Sequence, residues 1–298
     1  IVRLEPSGTL RVEVGCTDQG QGTLTGIAQI VAAAFGVQPE DVAVAAGDSA
    51  RAYGGGAWAS RGLAVSGEAA HLAATGLRDE ILSIAGMVLQ APAESLFISG
   101  GVIRDAGGER MSVAEAARIA HFRQDQLPPG VQPQLTVSRG FLPREFPYAM
   151  ANGIQASHLE VDTETGTIRL LGHWVVEDCG RVVNPLLVDE QIRGGVVHGL
   201  GNALFEECLY DEAGQMLTAT MADYLLPMAF EMPDIQVAHI ETPQSGSELG
   251  IKGAGEAGTV GAVAAVWCAV NDALAPFGAE IAAAPFTSGF SGFDHIVM

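Results

Sequence analysis

Lysine is almost missing from this chain: position 252 holds the only one among 298 residues, and 15 basic residues in all face 35 acidic ones, for a formal net charge of −20. That balance leaves no basic footprint for a phosphate backbone, so nucleic acid is excluded as a partner, and the acidity reads as a solubility surface. Charged residues of both signs make up only 17% against 48% hydrophobic, which excludes a disordered chain and describes an ordered globular one. The four cysteines, at 16, 179, 208 and 268, are far apart and form no CxxC. That spacing excludes a disulfide framework or a zinc cage and fits a reducing cytoplasm. Seven histidines show no HxxxH or HExxH spacing, so no metal site built from protein ligands is expected. No apolar run reaches transmembrane length and no signal-peptide pattern opens the chain, so no membrane span and a cytoplasmic location are expected.

What is present reads as alternating hairpins and helices. Ile1 to Val14 alternates apolar and polar residues around Pro6-Ser7-Gly8 and predicts a β-hairpin. Structure already under way at a first residue that is not methionine suggests a piece of a larger assembly, either a split subunit or a fragment. An amphipathic helix follows through Ile27, Ile30, Val31 and Phe35, ended by Gly36, and Val42 to Ala46 is a short strand. A long small-residue helix is predicted from Gly62 to Leu89, a strand over Leu96 to Ile103 and a helix over Met111 to His121. Residues 124–150, with five prolines, read as a connector.

The second half opens on a hairpin, Gly153–Val161 and Ile168–Val176, turned at Glu164-Thr165-Gly166. Asn184-Pro185 starts a helix to about Gly201. A second hairpin is predicted over Leu204–Tyr210 and Met216–Thr220, then a strand near Ile235–Ile240 and a polar loop, 243–255. Val260 to Leu274 reads as a buried helix. With 298 residues there is room for one large domain or two modest ones. Both halves mix hairpins with long helices, which is α+β and not the strict alternation of a parallel sheet. No short sequence repeat is visible.

The lone lysine lies in Gly250-Ile251-Lys252-Gly253-Ala254-Gly255-Glu256-Ala257-Gly258, a run that puts an ammonium, a carboxylate and permissive glycines on one short loop. Glycine allows backbone N–H groups to turn inward and approach a bound group. Glu256 would stand near the first turn of the following helix, where negative charge is favoured. This loop is the candidate reaction centre. Residues 253–258 also match GxGxxG, but a dinucleotide fingerprint needs an apolar strand before it and a full βαβ unit after it, and neither is present. Gly20-Gln21-Gly22 is a second anion-friendly turn, weak by itself and equally a plain loop-to-helix turn. Trp58-Ala59-Ser60-Arg61 is weak alone. Gln191 and Arg193 precede Gly194, Gly195, Gly199 and Gly201, whose role could be close packing or ligand approach. Gly289-Phe290-Ser291-Gly292 falls short of a GxSxG elbow and reads as a loop.

Taken in order, these pieces resemble the molybdenum hydroxylase family, which includes xanthine dehydrogenase and aldehyde oxidoreductase. The stretches that carry the resemblance are Asp18-Gln19-Gly20-Gln21-Gly22; Gly56-Ala57-Trp58-Ala59-Ser60-Arg61; Glu177-Asp178-Cys179-Gly180-Arg181-Val182-Val183-Asn184-Pro185; Gln191-Ile192-Arg193-Gly194-Gly195 through Gly201; and Lys252-Gly253-Ala254-Gly255-Glu256. They follow the order of the C-terminal lobe of the large molybdopterin-binding subunit. The resemblance implies two α+β subdomains, 1–148 and 149–298, the second carrying the Glu256 loop.

It also implies roles. Gly20, Gln21, Gly22 and Thr23, the segment Trp58, Ala59, Ser60 and Arg61, Gln191, and Lys252, Gly253, Ala254 and Gly255 would contact a molybdenum–pterin cofactor, expected as molybdopterin cytosine dinucleotide. Glu256 would be the base beside molybdenum when a carbon of an N-heterocycle or aldehyde is oxidised with water-derived oxygen. Electrons would leave through 2Fe-2S clusters and FAD on partner subunits, and the remaining half of the large subunit would come from a partner polypeptide. A free glutamate, with a pKa near 4.3, is a poor base, so a dry loop is expected around Glu256. Lys252 would oppose that effect, so its ammonium is expected to face a phosphate, a different carboxylate or solvent. The competing reading is a non-catalytic cofactor-binding or assembly subunit of the same fold.

Overall fold

In a computed structural model, residues 1–143 and 150–286 are described, and the Gly289–Gly292 loop lies outside them. The chain divides into two compact units, Ile1–Tyr148 with Pro243–Ile251, and Ala149–Thr242 with Lys252–Met298. The segment Pro243–Ile251 thus groups with the first unit, although its place in the sequence is in the second half.

In the first unit, β1 (Val2–Leu4) and β2 (Leu10–Val14) form the expected hairpin, Val2 opposite Val12 and Leu4 opposite Leu10. Their alternation turns Val2, Leu4, Leu10, Val12 and Val14 into the core. β3 (Val42–Ala46) adds parallel to β2. Helix α1 (Thr23–Phe35) buries Ile27, Ile30, Val31 and Phe35 on one stripe and ends at Gly36, whose φ of 97° suits a left-handed cap. Helix α2 (Gly62–Leu89) packs on α1 and on β1 through Ala70, Ala73, Ala74, Leu77, Ile81 and Ile84.

The predicted single strand over Leu96–Ile103 is two, β4 (Phe97–Ser99) and β5 (Val102–Asp105), because Gly100 and Gly101 take φ of 60° and 75° and reverse the chain. β6 (Gly108–Ser112) completes a meander and leads into α3 (Val113–Phe122), capped by the Ser112 hydroxyl on the Glu115 N–H. The proline-rich connector also contributes β7 (Thr136–Val137), which pairs with β1 and gives a sheet in the order β3-β2-β1-β7. Glu68 of α2 is buried, 1% exposed, and accepts from the Ser247 hydroxyl and the N–H groups of Glu248 and Leu249 at 2.9, 2.7 and 3.1 Å. A buried carboxylate is tolerable only with such donors. Here they fasten the Pro243–Ile251 segment to α2.

In the second unit, β8 (Asn152–Val161) and β9 (Ile168–Asp178) form the long hairpin, and β10 (Ile235–His239) adds parallel to β9. Helix α4 (Pro185–Leu204) starts on Asn184, whose side chain accepts from the Leu187 N–H. Helix α5 (Ala257–Leu274) lies against α4 and β8. The helices meet through glycine. A Cβ at Gly199 would stand 2.7 Å from the Ala262 Cβ, and one at Gly258 would fall on the Ile192 carbonyl. The Thr259 hydroxyl donates to the Gly195 carbonyl at 3.0 Å. Gly195 and Gly199 therefore serve close helix packing.

Three expectations are corrected here. The hairpin over Leu204–Thr220 is much shorter than expected: α4 runs on to Leu204, where Ala203 and Leu204 are buried, and around the Asp211–Gly214 turn there is a Tyr210–Met216 bridge with the Leu217 N–H on the Leu209 carbonyl and the Asp211 N–H on the Gln215 carbonyl. The helix after Glu256 is not buried all round. One stripe, Gly258, Ala262, Val266, Val270 and Leu274, faces the core, while Val260 is 77% exposed. Finally, Ala257–Phe277 is long and apolar enough to cross a membrane by length and composition, contrary to the reading of apolar runs. Its inner stripe is occupied by α4 and β8 of the same unit.

Candidate functional site

The loop of the second unit is built around a buried ion pair. Lys252 Nζ donates to Asp178 Oδ2 at 3.1 Å, with the two side chains 8% and 9% exposed. Burial alone would push the Asp178 carboxyl up. It is outweighed by the N–H groups of Gly180 and Thr242 and by the Lys252 ammonium, which hold that carboxyl well below the usual range. Of the three partners expected for the lone ammonium, it meets a different carboxylate. Lys252, singled out as a cofactor contact, thus directs its charge inward. Its backbone N–H donates to the Cys179 carbonyl at 2.8 Å, tying the loop to the end of β9.

Gly253-Ala254-Gly255 then carries the chain to Glu256, which occupies the N-cap position of α5. No strand precedes this GxGxxG match, as the sequence indicated. Gln191, from the second turn of α4, donates through Nε2 to the Gly255 carbonyl at 2.8 Å, so the structure joins Gln191 to the glutamate's loop. The dry loop expected around Glu256 is not found: the side chain is exposed.

Beneath the same turn lies a polar row that sequence reasoning missed. Gln155 and Ser157 of β8 and His173 and Glu177 of β9 share the sheet face that carries α5. Gln155 Nε2 donates to the carbonyls of Ala257 and Gly258 at 3.2 and 3.0 Å, and its Oε1 lies 3.1 Å from His173 Nε2. The other ring nitrogen, Nδ1, is 2.8 Å from the Ser157 hydroxyl. His173 is fully buried, and burial pushes its pKa down to about 4. Glu177, 3% exposed, is pushed up to about 7 by burial, with the Gln155 amide and His239 drawing it back less strongly. The signal that could have found this row was polar residues at alternate positions beside Leu159, Val161 and Val175.

Glu177 and His173 titrate in opposite senses. Glu177, raised from 4.5 to about 7, contributes stability that is present below pH 4.5 and lost as pH rises through 7. His173, lowered from 6.5 to about 4, contributes stability present above pH 6.5 and lost as pH falls through 4. Glu177→Gln is therefore expected to raise the melting temperature at pH 8 by roughly 2–4 °C for each kcal/mol recovered, and to change little near pH 4.5. Thermal unfolding at the two pH values checks this.

In the first unit, the starts of α1 and α2 are neighbours: a Cβ at Gly62 would stand 3.7 Å from Thr23 Oγ1. The structure thus brings the Gly20–Thr23 turn and the Trp58–Arg61 segment together. In the turn, Gly20 and Gly22 take φ of 100° and 80°. Backbone N–H groups of Leu24, Gly20, Gly22 and Thr23 favour charge on Asp18 and hold its carboxyl below its ordinary value. The turn is anion-friendly, as read, and an internal carboxylate already organises it. Gln21 accepts from the Gln19 N–H at 2.6 Å and donates to the Thr17 carbonyl.

The neighbouring segment holds Arg61 over the Trp58 ring at 4.1 Å. A Cβ at Gly55 would fall on the guanidinium, so glycine keeps that space open. Ala59 and Ser60 both take left-handed φ, 53° and 55°, a strain of roughly 1 kcal/mol or more each that concentrates at ligand-clamping loops. Within this unit, the Arg61 cation, the Gln21 amide and glycines that admit the backbone are groups that fit a phosphorylated heteroaromatic cofactor. Among the described residues no cluster of His, Cys, Asp or Glu could hold a metal ion. The four cysteines are free thiols.

Comparison with known proteins shows the family of the chain. The family described as molybdopterin cofactor-binding domain matches residues 1–233. The chain is 35% identical over 289 residues to the nicotine 6-hydroxylase large subunit of Paenarthrobacter nicotinovorans, covering 96% of this chain and 35% of that protein. It is 32% identical to the carbon monoxide dehydrogenase large chain of Hydrogenophaga pseudoflava, over 96% of this chain and 36% of the other. Among solved structures, quinoline 2-oxidoreductase from Pseudomonas putida 86 superposes with a TM-score of 0.88 at 39% identity, covering 96% of this chain and 36% of that one. The chain spans about a third of the length of these relatives. It therefore belongs to the molybdenum hydroxylase family, where it corresponds to part of the molybdopterin-binding large subunit.

Proposed function

We propose that this chain carries the catalytic base of a molybdenum hydroxylase complex, with Glu256 as that base and an N-heterocycle or aldehyde as substrate. The observation that carries the reading is the placement of Glu256. It is the one carboxylate in the 250–258 loop, it stands at the start of α5, and the loop's ammonium is already neutralised by Asp178. Glu256 is thus the side chain of this loop whose chemistry suits a general base. The names of the relatives, a nicotine hydroxylase and a quinoline oxidoreductase, favour the N-heterocycle.

The molybdenum–pterin cofactor supplies two-electron redox chemistry when bound. Around it, Arg61 would meet a phosphate, with Trp58 fixing the guanidinium plane. The backbone of Gly20–Thr23 and Ala59–Ser60 would approach the cofactor closely, and the Gln21 and Gln191 amides would serve its polar edges. Lys252 acts from beneath by holding Gly253, Ala254 and Gly255 in place. Exposure of Glu256 on this chain is consistent with a cover supplied by the remaining part of the large subunit, and an iron–sulfur subunit and a flavin subunit would carry electrons away in the cytoplasm.

The test is analysis of the assembled complex together with a Glu256→Gln variant. Molybdenum in near-stoichiometric amount and release of cytidine monophosphate on acid hydrolysis are the expected results. A complex without molybdenum, or a glutamine variant with full turnover and full molybdenum, rules the reading out.

A further inference from the structure

We propose that Gln155 is a positioning residue for Glu256: its side-chain amide, held by His173, grips the carbonyls of Ala257 and Gly258 and so fixes the direction in which Glu256 leaves helix α5. The inference rests on the reading of Glu256 as base. Its geometry stands on the second unit alone.

The backbone on both sides of Glu256 is gripped by a glutamine. Gln191 reaches the Gly255 carbonyl at 2.8 Å from α4, and Gln155 reaches those of Ala257 and Gly258 at 3.2 and 3.0 Å from β8. The orientation of the Gln155 amide is forced. Rotating it by half a turn would set its oxygen against two carbonyl oxygens and its N–H groups against His173 Nε2–H. With Oε1 accepting from His173 Nε2 at 3.1 Å, the other ring nitrogen must accept, and the Ser157 hydroxyl supplies that donor at 2.8 Å. Each member has one role, so the row is rigid in one arrangement. A fully buried imidazole that stays neutral through the physiological range keeps it so.

Local sequence makes room for this contact. A Cβ at Gly261 would stand 2.9, 3.0 and 3.1 Å from Cδ, Cγ and Nε2 of Gln155, so any larger residue would push the amide off the helix. Glycine inside a helix otherwise costs roughly 1 kcal/mol relative to alanine. At Gly261 that cost accompanies the docking of one specific side chain. Helix carbonyls of a first turn already have partners four residues on, so the added bonds serve direction more than satisfaction. Displacement of a reacting group by about 1 Å can cost about a hundredfold in rate, which is the scale at which such a grip matters.

The experiment uses two variants in the assembled complex. Gln155→Met keeps the volume and removes both donors; Gly261→Ala raises helix propensity and displaces the amide by contact alone, so it reports even where Gln155→Met does not fold. Amide hydrogen exchange over 254–261 should quicken about tenfold or more in each variant, with 192–204 of α4 unchanged. Turnover with quinoline or nicotine, whichever the wild-type complex oxidises, should fall about tenfold to a hundredfold in kcat, with KM within about twofold and molybdenum content unchanged. In a Glu256→Gln background neither substitution should lower the rate further. Unchanged exchange in both variants, or faster exchange spread through all of α4 and β9, would overturn the proposal. An equal further loss in the Glu256→Gln background would do the same. If Glu256→Gln alone keeps full turnover, the base assignment fails, and the exchange measurement still reports on the grip.

Discussion

Glu256→Gln in the assembled complex is expected to lower kcat by about 10²–10⁴-fold, the range lost when a positioned general base is removed. The amide has the shape of the carboxylate and no basic oxygen, so the change removes proton acceptance. Local structure should tolerate it. Helix α5 begins without a side-chain cap bond from Glu256, and the neighbouring carbonyls are held by Gln191 and Gln155. Glu256→Asp shortens the side chain by one methylene and should fall between wild type and glutamine, as a misplaced base does. Steady-state kinetics with parallel molybdenum analysis checks both. A loss that tracks missing metal would mean that the residue serves loading and not chemistry.

Lys252→Met is expected to destabilise the protein by about 3–5 kcal/mol, the usual result of removing one partner from a buried ion pair. Asp178 would remain 7% exposed with its negative charge met by the N–H groups of Gly180 and Thr242 and the Thr242 side chain, and by no ammonium. Removing both charges is a different case. In Asp178→Asn with Lys252→Met the side chain at 178 is neutral and its carbonyl can still accept from those two N–H groups, so the double variant should recover much of the loss. Denaturant unfolding of the single and double variants measures the coupling. Independent, additive losses would mean that the pair contributes nothing as a pair.

The elements legible from the sequence are those whose signals are local. Gly62–Leu89 could be read to its ends because its small and apolar residues recur at helical spacing, and Gly36 and Asn184 mark helix ends by their own backbone and capping chemistry. Partners in a sheet carry no such mark. Nothing in Val42–Ala46 or Ile235–His239 announced parallel pairing with β2 and β9, and nothing in a proline-rich connector announced that Thr136–Val137 would join β1. Gly100-Gly101 was a readable turn inside what looked like one strand. The Glu256 loop was legible from glycine spacing and the lone lysine. The carboxylate that receives that lysine, and the Gln155–His173 row, were not, because each depends on residues brought together across a sheet.

Because Lys252 is the sole lysine and its ammonium is sealed against Asp178, the surface of this chain offers no side-chain amine to a reagent. Succinimidyl esters, aldehydes and enzymatic lysine acylation all need an accessible, deprotonated nitrogen, so they would find no side chain to modify on the folded protein. Neighbours in the complex are better mapped through the plentiful carboxylates with carbodiimide or hydrazide linkers. Newly acquired labelling at position 252 would in turn serve as a sensitive marker that the second unit has opened.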